Sequence, residues 1–351
     1  MTKHIYIHIP FCKSKCPYCA FGSHIKKEAL HKSYFDALYK EMKNYFSANK
    51  EMIETLFIGG GTPTSVDSFY YEKLFKIVEP FLENECELTI ESNPNSINLD
   101  YLKKLKSLGI NRISFGVQSF RDEKLKFLGR THSKDEAIEA INLASMAKIE
   151  KINIDLIYAT KLDSKKTLLS ELYIVGQLPI SSISAYTLML EPNTPFFGKK
   201  SYQKESAGVS QFMIESIERL KFKQYEISNF GQVCRHNLAY WGQKNYYGFG
   251  AYSVGFIDDK RVYASSNLKD YIANPLQKEI ENLTVGDLRL EHIFLGLRSI
   301  LGIKKAKITK KEQERAKILT KEGLLREDEE RFYNNNFLLS DEIVLFLTSQ
   351  N

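Results

Sequence analysis

Tryptophan occurs once in this chain, at position 241, and cysteine only five times among 351 residues. An odd number of cysteines, three of them at positions 12, 16 and 19, does not read as the paired framework of a small secreted protein. Long apolar runs are missing too, since no stretch approaches the roughly 18 residues that a membrane-spanning helix needs. The first residues lack a basic segment leading into an apolar core, so no signal peptide is expected; the setting is read as cytoplasmic, with at most peripheral membrane contact. Charge of one sign is also scarce. The 49 basic and 43 acidic side chains leave a formal net charge of +6, which permits an anionic partner without requiring one. The basic run from Lys304 to Lys311 reads as a solvated surface, and no nucleic-acid partner is expected. No GxGxxG follows the first apolar run, which disfavours a dinucleotide-binding fold.

What the chain does contain is 43% hydrophobic residues, arranged as short apolar runs alternating with longer amphipathic stretches. The runs 5–9, 55–58, 88–92, 112–117, 152–157 and 183–188 are too short for helices and are β-branched or aromatic in character, which predicts six strands. Residues 29–46 carry Leu30, Tyr34, Phe35, Leu38 and Met42 at helical spacing, and Ser133-Lys134-Asp135-Glu136 has the form of a capping box opening another helix. Strands alternating with helices imply crossover connections and a parallel sheet. Six such units over residues 1–190 are too few for a closed eight-stranded barrel. They predict an α/β fold, a partial (β/α)6 barrel whose functional groups gather at the C-terminal ends of the strands. A barrel extension is expected over 191–280. From 281 a helix over 287–301, a second capped by Thr309 and stopped by Gly323, a hairpin and a last helix from Asp341 predict a small winged-helix-like α+β domain. The hairpin is expected to pair Leu324-Leu325 with Phe337-Leu338-Leu339 around Asn334, Asn335 and Asn336. Its second helix mixes Glu312, Glu314 and Glu322 with lysines, unlike a DNA-recognition helix, so packing or a substrate lid is expected.

Cys12, Cys16 and Cys19 are spaced CxxxCxxC, which brings three thiolates to one small patch and leaves a fourth coordination position without an obvious protein ligand. Cys86 and Cys234 are remote in sequence. A structural zinc site closes its tetrahedron with a fourth Cys or His, whereas iron–sulfur clusters are held by thiolates, and a [4Fe-4S] cluster on three of them keeps one iron open to a small molecule. The second strand runs into Gly59-Gly60-Gly61-Thr62-Pro63-Thr64. Consecutive glycines let a ligand approach the backbone closely, or simply turn the chain.

These motifs are accompanied by Ile7-His8-Ile9-Pro10-Phe11, Glu91-Ser92-Asn93-Pro94, Ser114-Phe115-Gly116-Val117-Gln118-Ser119-Phe120, Leu128-Gly129-Arg130, Asn153-Ile154-Asp155-Leu156-Ile157 and Arg235-His236-Asn237-Leu238-Ala239-Tyr240-Trp241. In that order they resemble the coproporphyrinogen III oxidase-like family of the radical S-adenosylmethionine (SAM) superfamily, over nearly the whole chain. The resemblance implies a [4Fe-4S] cluster on Cys12, Cys16 and Cys19, whose unique iron binds the amino and carboxylate groups of SAM and whose electron cleaves SAM to a carbon radical. It implies that Gly60, Gly61 and Thr62 line the amino-acid part of SAM and that Tyr6 and Tyr18 flank the cluster. Glu91, Gln118 and Asp155 are implied in polar contacts with the nucleoside or a second ligand, and Arg130 in a pair with the SAM carboxylate. Relatives generally follow Asp155-Leu156-Ile157 with a Gly-Leu-Pro turn where this chain has Tyr158-Ala159-Thr160-Lys161-Leu162, so a differently shaped loop is expected there.

Within that family the chain is more similar to the heme chaperones than to the dehydrogenase. The dehydrogenase branch carries a further cysteine two positions beyond the third ligand, where this chain has Phe21 after Ala20. It also has a closing N-terminal extension, whereas the first strand here begins at residue 5. The His-Asn-x-x-Tyr-Trp segment resembles the chaperones and implies heme as a ligand, with His236 as an axial ligand and Tyr240 and Trp241 stacking on the macrocycle. The expected function is a heme chaperone that passes heme to heme-requiring respiratory proteins, with an electron donor such as flavodoxin or ferredoxin if SAM is cleaved. Two rivals stand beside it: radical decarboxylation of the propionates of coproporphyrinogen III, and a non-catalytic binding module in which the cluster is structural.

Overall fold

The computed structural model describes residues 2–204 and 207–349. The six expected strands form as β1 (His4–Ile9), β2 (Ile53–Gly60), β3 (Leu82–Ser92), β4 (Arg112–Gln118), β5 (Lys151–Tyr158) and β6 (Ser182–Thr187). Between them run α1 (His31–Ala48), α2 (Phe69–Val78), α3 (Leu99–Ser107), α4 (Asp122–Phe127), α5 (Lys134–Met146) and α6 (Lys165–Val175), and α7 (Ala207–Arg219) follows β6. The strands pair in parallel and in sequence order, as helical crossovers require. The sheet stays open. At one edge β7 (Asn229–Gly231) pairs antiparallel with β6. After α8 (Arg235–Trp241), β8 (Tyr246–Phe249) returns to run parallel to β1. The sheet continues through β9 (Val254–Ile257), β10 (Lys260–Ala264) and, beyond α9 (Leu268–Ala273), β11 (Lys278–Asn282), making eleven strands.

Two-residue periodicity decides which side of each strand is packed. Ile5, Ile7 and Ile9 are fully buried in one core with Tyr34, Phe35, Leu38 and Met42 of α1, and each contributes about 1.5–3 kcal/mol by leaving water. His4, Tyr6 and His8 take the opposite face, where they meet Thr55 and Phe57 of β2. This face of the first strand is therefore lined by polar side chains. The capping box opening α5 is formed: the Ser133 hydroxyl accepts from Glu136 N at 3.2 Å while Ser133 N donates to the Glu136 carboxylate at 2.7 Å.

The C-terminal part comprises α10 (Val285–Gly296), β12 (Ile303–Lys304), α11 (Lys310–Lys321), β13 (Leu325–Glu327), β14 (Arg331–Asn334) and α12 (Ser340–Thr348). Its three strands form a separate antiparallel sheet in the order β12-β14-β13 over a core that includes Ile293, Leu297, Phe332 and Leu347. Two expectations are corrected here. The hairpin turns at Asp328, whose side chain accepts from Glu330 N and Arg331 N, both at 2.8 Å. Asn334 and Asn336 instead serve as hydrogen-bonding posts for the 3-10 turn Phe337–Leu339, which is not a strand. The helix expected over 287–301 also starts earlier, at a Thr284 cap, and stops at Gly296. The chain beyond is drawn off by Tyr225 and Ile227, since Ile227 N donates to Arg298 O at 2.8 Å and Ile300 N to Tyr225 O at 2.9 Å.

Candidate cofactor site at the strand ends

The C-terminal ends of the strands open into a pocket of about 700 Å³, its mouth included. Cys12, Cys16, Cys19 and Tyr18 line it together with Gly60, Gly61, Thr62, Glu91, Gln118, Arg130 and Asp155, which come from five further segments, and with neighbours that include Asn93 and Ser114. Tyr6 and His236 are not part of the lining.

The cysteine loop is closed at its base by Cys12 N donating to His24 O at 2.9 Å and His24 N donating to Pro10 O at 2.8 Å. His8 holds its far side. Gly22 O is only an acceptor, so His8 Nε2 carries the proton and donates to it at 2.8 Å, which leaves Nδ1 to accept from the Tyr6 hydroxyl at 3.0 Å. Burial pushes this imidazole down to about 4, so it is neutral in that role. Tyr6 thus reaches the cysteine loop through His8. At Gly22 a Cβ would sit 2.3 Å from the Tyr252 ring, whose hydroxyl bonds His24 Nε2 at 2.9 Å.

The glycine loop serves the cysteine loop as well as any ligand. Gly61 N donates to Ile9 O at 2.9 Å and Thr62 N to Phe11 O at 2.7 Å. A Cβ on Gly61 would lie 2.6 Å from Phe11 O and 3.0 Å from Cys12 Sγ, and Gly60 has φ +117°, a conformation that strains side-chain-bearing residues. The Thr62 hydroxyl then reaches Cys12 Sγ at 3.5 Å.

Arg130 is spent mainly on protein. Its Nη1 donates to Cys16 Sγ at 3.4 Å and its Nη2 to Asn93 Oδ1 at 2.5 Å and to Gly116 O at 2.7 Å, while Nε is buried without an acceptor. Asn93, to which the sequence assigned no role, also donates to the Thr62 hydroxyl at 3.1 Å and so joins two lining residues, Arg130 and Thr62; its signal was its place in the Glu-Ser-Asn-Pro motif. Glu91 accepts from Gly60 N at 3.1 Å, and burial followed by the nearby Asp155 raises its carboxyl to about 8. Asp155 is also raised by burial, against bonds from Ser114 and Ser184 and the charge of Arg112. Near neutral pH Glu91 is therefore largely protonated and can donate as well as accept. Gln118 ends β4 at φ +68°, turning the chain at the pocket edge.

The loop after β5 answers the departure seen in the sequence. Ala159 is fully buried at φ +59°, the left-handed conformation that costs a non-glycine residue about 1–2 kcal/mol. Thr160 donates to Asp163 from both its backbone N and its hydroxyl at 2.9 Å. Asp163 also pairs with the wholly buried Lys124 at 2.9 Å, and Lys124 reaches Glu171 at 3.1 Å. This cluster fixes α4, from which Gly129 and Arg130 extend. Sequence reasoning missed it, because a lysine on a short charged helix carries no sign that it is buried.

The other departure is His236. Its ring lies at the opposite end of the strands, 1% exposed, with Nδ1 bonded to the Thr55 hydroxyl at 2.8 Å and Nε2 to the Tyr240 hydroxyl at 2.7 Å, and stacked on Phe57 at 5.2 Å. Burial depresses its pKa well below the usual histidine value. Both nitrogens are engaged, so the ring does not stand open as the axial ligand expected from the motif, and Tyr240 gives its hydroxyl to His236 and packs its ring against Tyr246 at 4.2 Å.

The donors that line the pocket are three half-buried thiols, and iron–sulfur clusters are held by thiolates, each bonded to a different iron. The glycines and acids of the remaining lining bring backbone and carboxyl groups, able to make polar contacts, to the same pocket.

The sequence pattern of the Radical SAM superfamily matches residues 6–169. Two relatives named heme chaperone HemW are similar along most of the chain. That of Bacillus subtilis (strain 168) is 32% identical and covers 88% of this chain and 86% of its own. That of Escherichia coli (strain K12) is 36% identical and covers 72% of this chain and 70% of its own. Among solved structures, the coproporphyrinogen III oxidase HemN from Escherichia coli, titled a radical SAM enzyme, matches with a TM-score of 0.82 at 21% identity, over 99% of this chain and 90% of that one, a likeness of fold.

Proposed function

The chain belongs to the HemW family of heme chaperones, within the radical SAM superfamily, and from that premise we propose that it binds heme, a [4Fe-4S] cluster and SAM and passes the heme to heme-requiring respiratory proteins. The observation that carries the cofactor part is the convergence of three half-buried thiols, the glycine loop and the Glu91–Asp155 pair on one pocket. Cys12, Cys16 and Cys19 would hold the cluster, which when bound supplies single electrons. Gly60, Gly61 and Thr62 offer backbone to a SAM amino-acid moiety, Arg130 Nε an unspent donor, and Glu91 and Asp155 polar contacts to hydroxyl or ammonium groups. The heme part is supported by kinship and by Ala20-Phe21 following the third thiol, where a further cysteine would mark the dehydrogenase.

Incubating the reconstituted protein with heme, and separately with coproporphyrinogen III, SAM and a reductant, tests this reading. Heme uptake, seen as a shifted absorption band, without formation of protoporphyrinogen is the expected outcome. Steady protoporphyrinogen production would replace the chaperone with the enzyme.

A further inference from the structure

Asn93 follows β3 directly and lines the pocket. Its backbone is fixed by Ser96, whose hydroxyl accepts from Asn93 N at 3.2 Å and whose own N donates to Asn93 O at 3.0 Å. The orientation of the carboxamide follows from its neighbours. Arg130 has donors only, so the atom 2.5 Å from its Nη2 is the Asn93 oxygen, and the Asn93 amino group is left to face the Thr62 hydroxyl at 3.1 Å. A hydroxyl has one proton. Because the Thr62 oxygen accepts from Asn93, that proton is directed to Cys12 Sγ, 3.5 Å away. From the other side Arg130 Nη1 reaches Cys16 Sγ at 3.4 Å. Two donors that meet thiol sulfurs are thus joined through one carboxamide, and the hydrogen bonds run in a single direction from the guanidinium to Cys12. Gly116 leaves room for this chain: its O accepts from Arg130 Nη2 at 2.7 Å, and a Cβ there would lie 3.3 Å from Asn93 Oδ1 and 3.4 Å from Arg130 Nη2.

We propose that Asn93 is a positioning residue that sets the reduction potential of the cluster held by Cys12, Cys16 and Cys19, by aiming the Thr62 hydroxyl and the Arg130 guanidinium at two of its sulfur ligands. The proposal rests on the cluster reading above and concerns a residue that bonds no iron itself. A cluster that has gained an electron carries more negative charge on its sulfurs, so donors pointed at them stabilise the reduced form and raise the potential. Left to themselves, a rotating hydroxyl and an arginine with several rotamers would hold those positions only part of the time. Asn93 removes that freedom from both at once, which is how residues behind the direct ligands tune a metal centre.

The test measures the midpoint potential of reconstituted full-length protein by anaerobic redox titration, followed at the cluster absorption and without added SAM, so that a change in ligand binding does not contribute. Asn93→Ala is expected to keep the wild-type iron content and to lower the ratio of reduced to oxidised cluster at a fixed potential by about tenfold, which is about 59 mV toward more negative values in a one-electron couple. Thr62→Val, which removes the donor to Cys12, should move the potential in the same sense. The Asn93→Ala shift should be smaller in the Thr62→Val background, because both changes act on one hydrogen bond. Thr62→Ser, which keeps the hydroxyl, should stay near wild type. An unchanged potential in Asn93→Ala at full iron content overturns the proposal. So does a variant that loses its iron, which makes Asn93 a residue of site assembly, and so does an undiminished shift in the Thr62→Val background. A wild type that takes up no iron overturns the cluster reading itself.

Discussion

Both ends of the parallel strands are polar, and they differ in how their polar groups are used. At the N-terminal end the side chains close upon each other: His4 Nδ1 meets the Thr55 hydroxyl at 2.9 Å, Thr55 meets His236, and His236 meets Tyr240. Glu87 there takes the His236 N–H at 3.2 Å and the Lys151 ammonium at 3.1 Å. At the C-terminal end three half-buried thiols line one pocket, Arg130 Nε lacks an acceptor, and Gly60 and Gln118 hold positive φ. Buried polar groups that satisfy one another belong to the architecture. Unspent donors and strained backbone around a pocket are where binding is expected. A polar barrel interior therefore does not by itself locate a function.

The thiols are where that contrast can be broken most visibly. Wild-type protein reconstituted under anaerobic conditions should hold about four irons per chain, and Cys12→Ala, Cys16→Ala or Cys19→Ala should each hold none. Cys234→Ala, whose thiol lies 3.6 Å from Glu87 at the other end, should keep its iron. An iron assay giving equal losses in the Cys234 variant would erase the difference between the two ends.

A smaller effect is expected at the closed end. His236→Ala leaves the Thr55 and Tyr240 hydroxyls without their buried partner, at a cost of roughly 1–3 kcal/mol in denaturant unfolding. Iron content and the heme absorption spectrum should be unaltered. A changed heme spectrum with an unchanged unfolding midpoint would return the residue to a ligand role.

The smallest effect sharpens the strained end. Ala159→Gly relieves the left-handed conformation at the cost of a more mobile unfolded chain, for a net gain of about 0.5–1 kcal/mol, read as a raised thermal midpoint. A lowered midpoint would show that the Ala159 methyl, fully buried in the core, contributes more by packing than its backbone loses by strain.

Much of the fold was legible because its signals are local. Six short runs became six strands, and the boxes at Ser133 and Thr309 became helix starts, since an acceptor three residues from its donor needs nothing else in the chain. The hairpin near residue 330 was misplaced for a related reason: three successive asparagines look like a turn, but Asp328 offered its carboxylate to two backbone amides first. The edge strands from β7 to β11 left little trace, because several are only three to five residues long and are defined by the neighbours they pair with.

The sequence by itself determined the three thiols, their spacing and the order of elements that carries them to the strand ends, because covalent spacing and side-chain periodicity are properties of the chain. Only the tertiary structure decided that Gly61 is small for the sake of Phe11 and Cys12, that Lys124 is buried between two carboxylates, and that His236 is tied at both nitrogens while Arg130 is not tied at Nε. Those outcomes depend on which groups meet across tens or hundreds of residues, and a buried polar atom becomes architecture or binding site according to whether such a partner arrives.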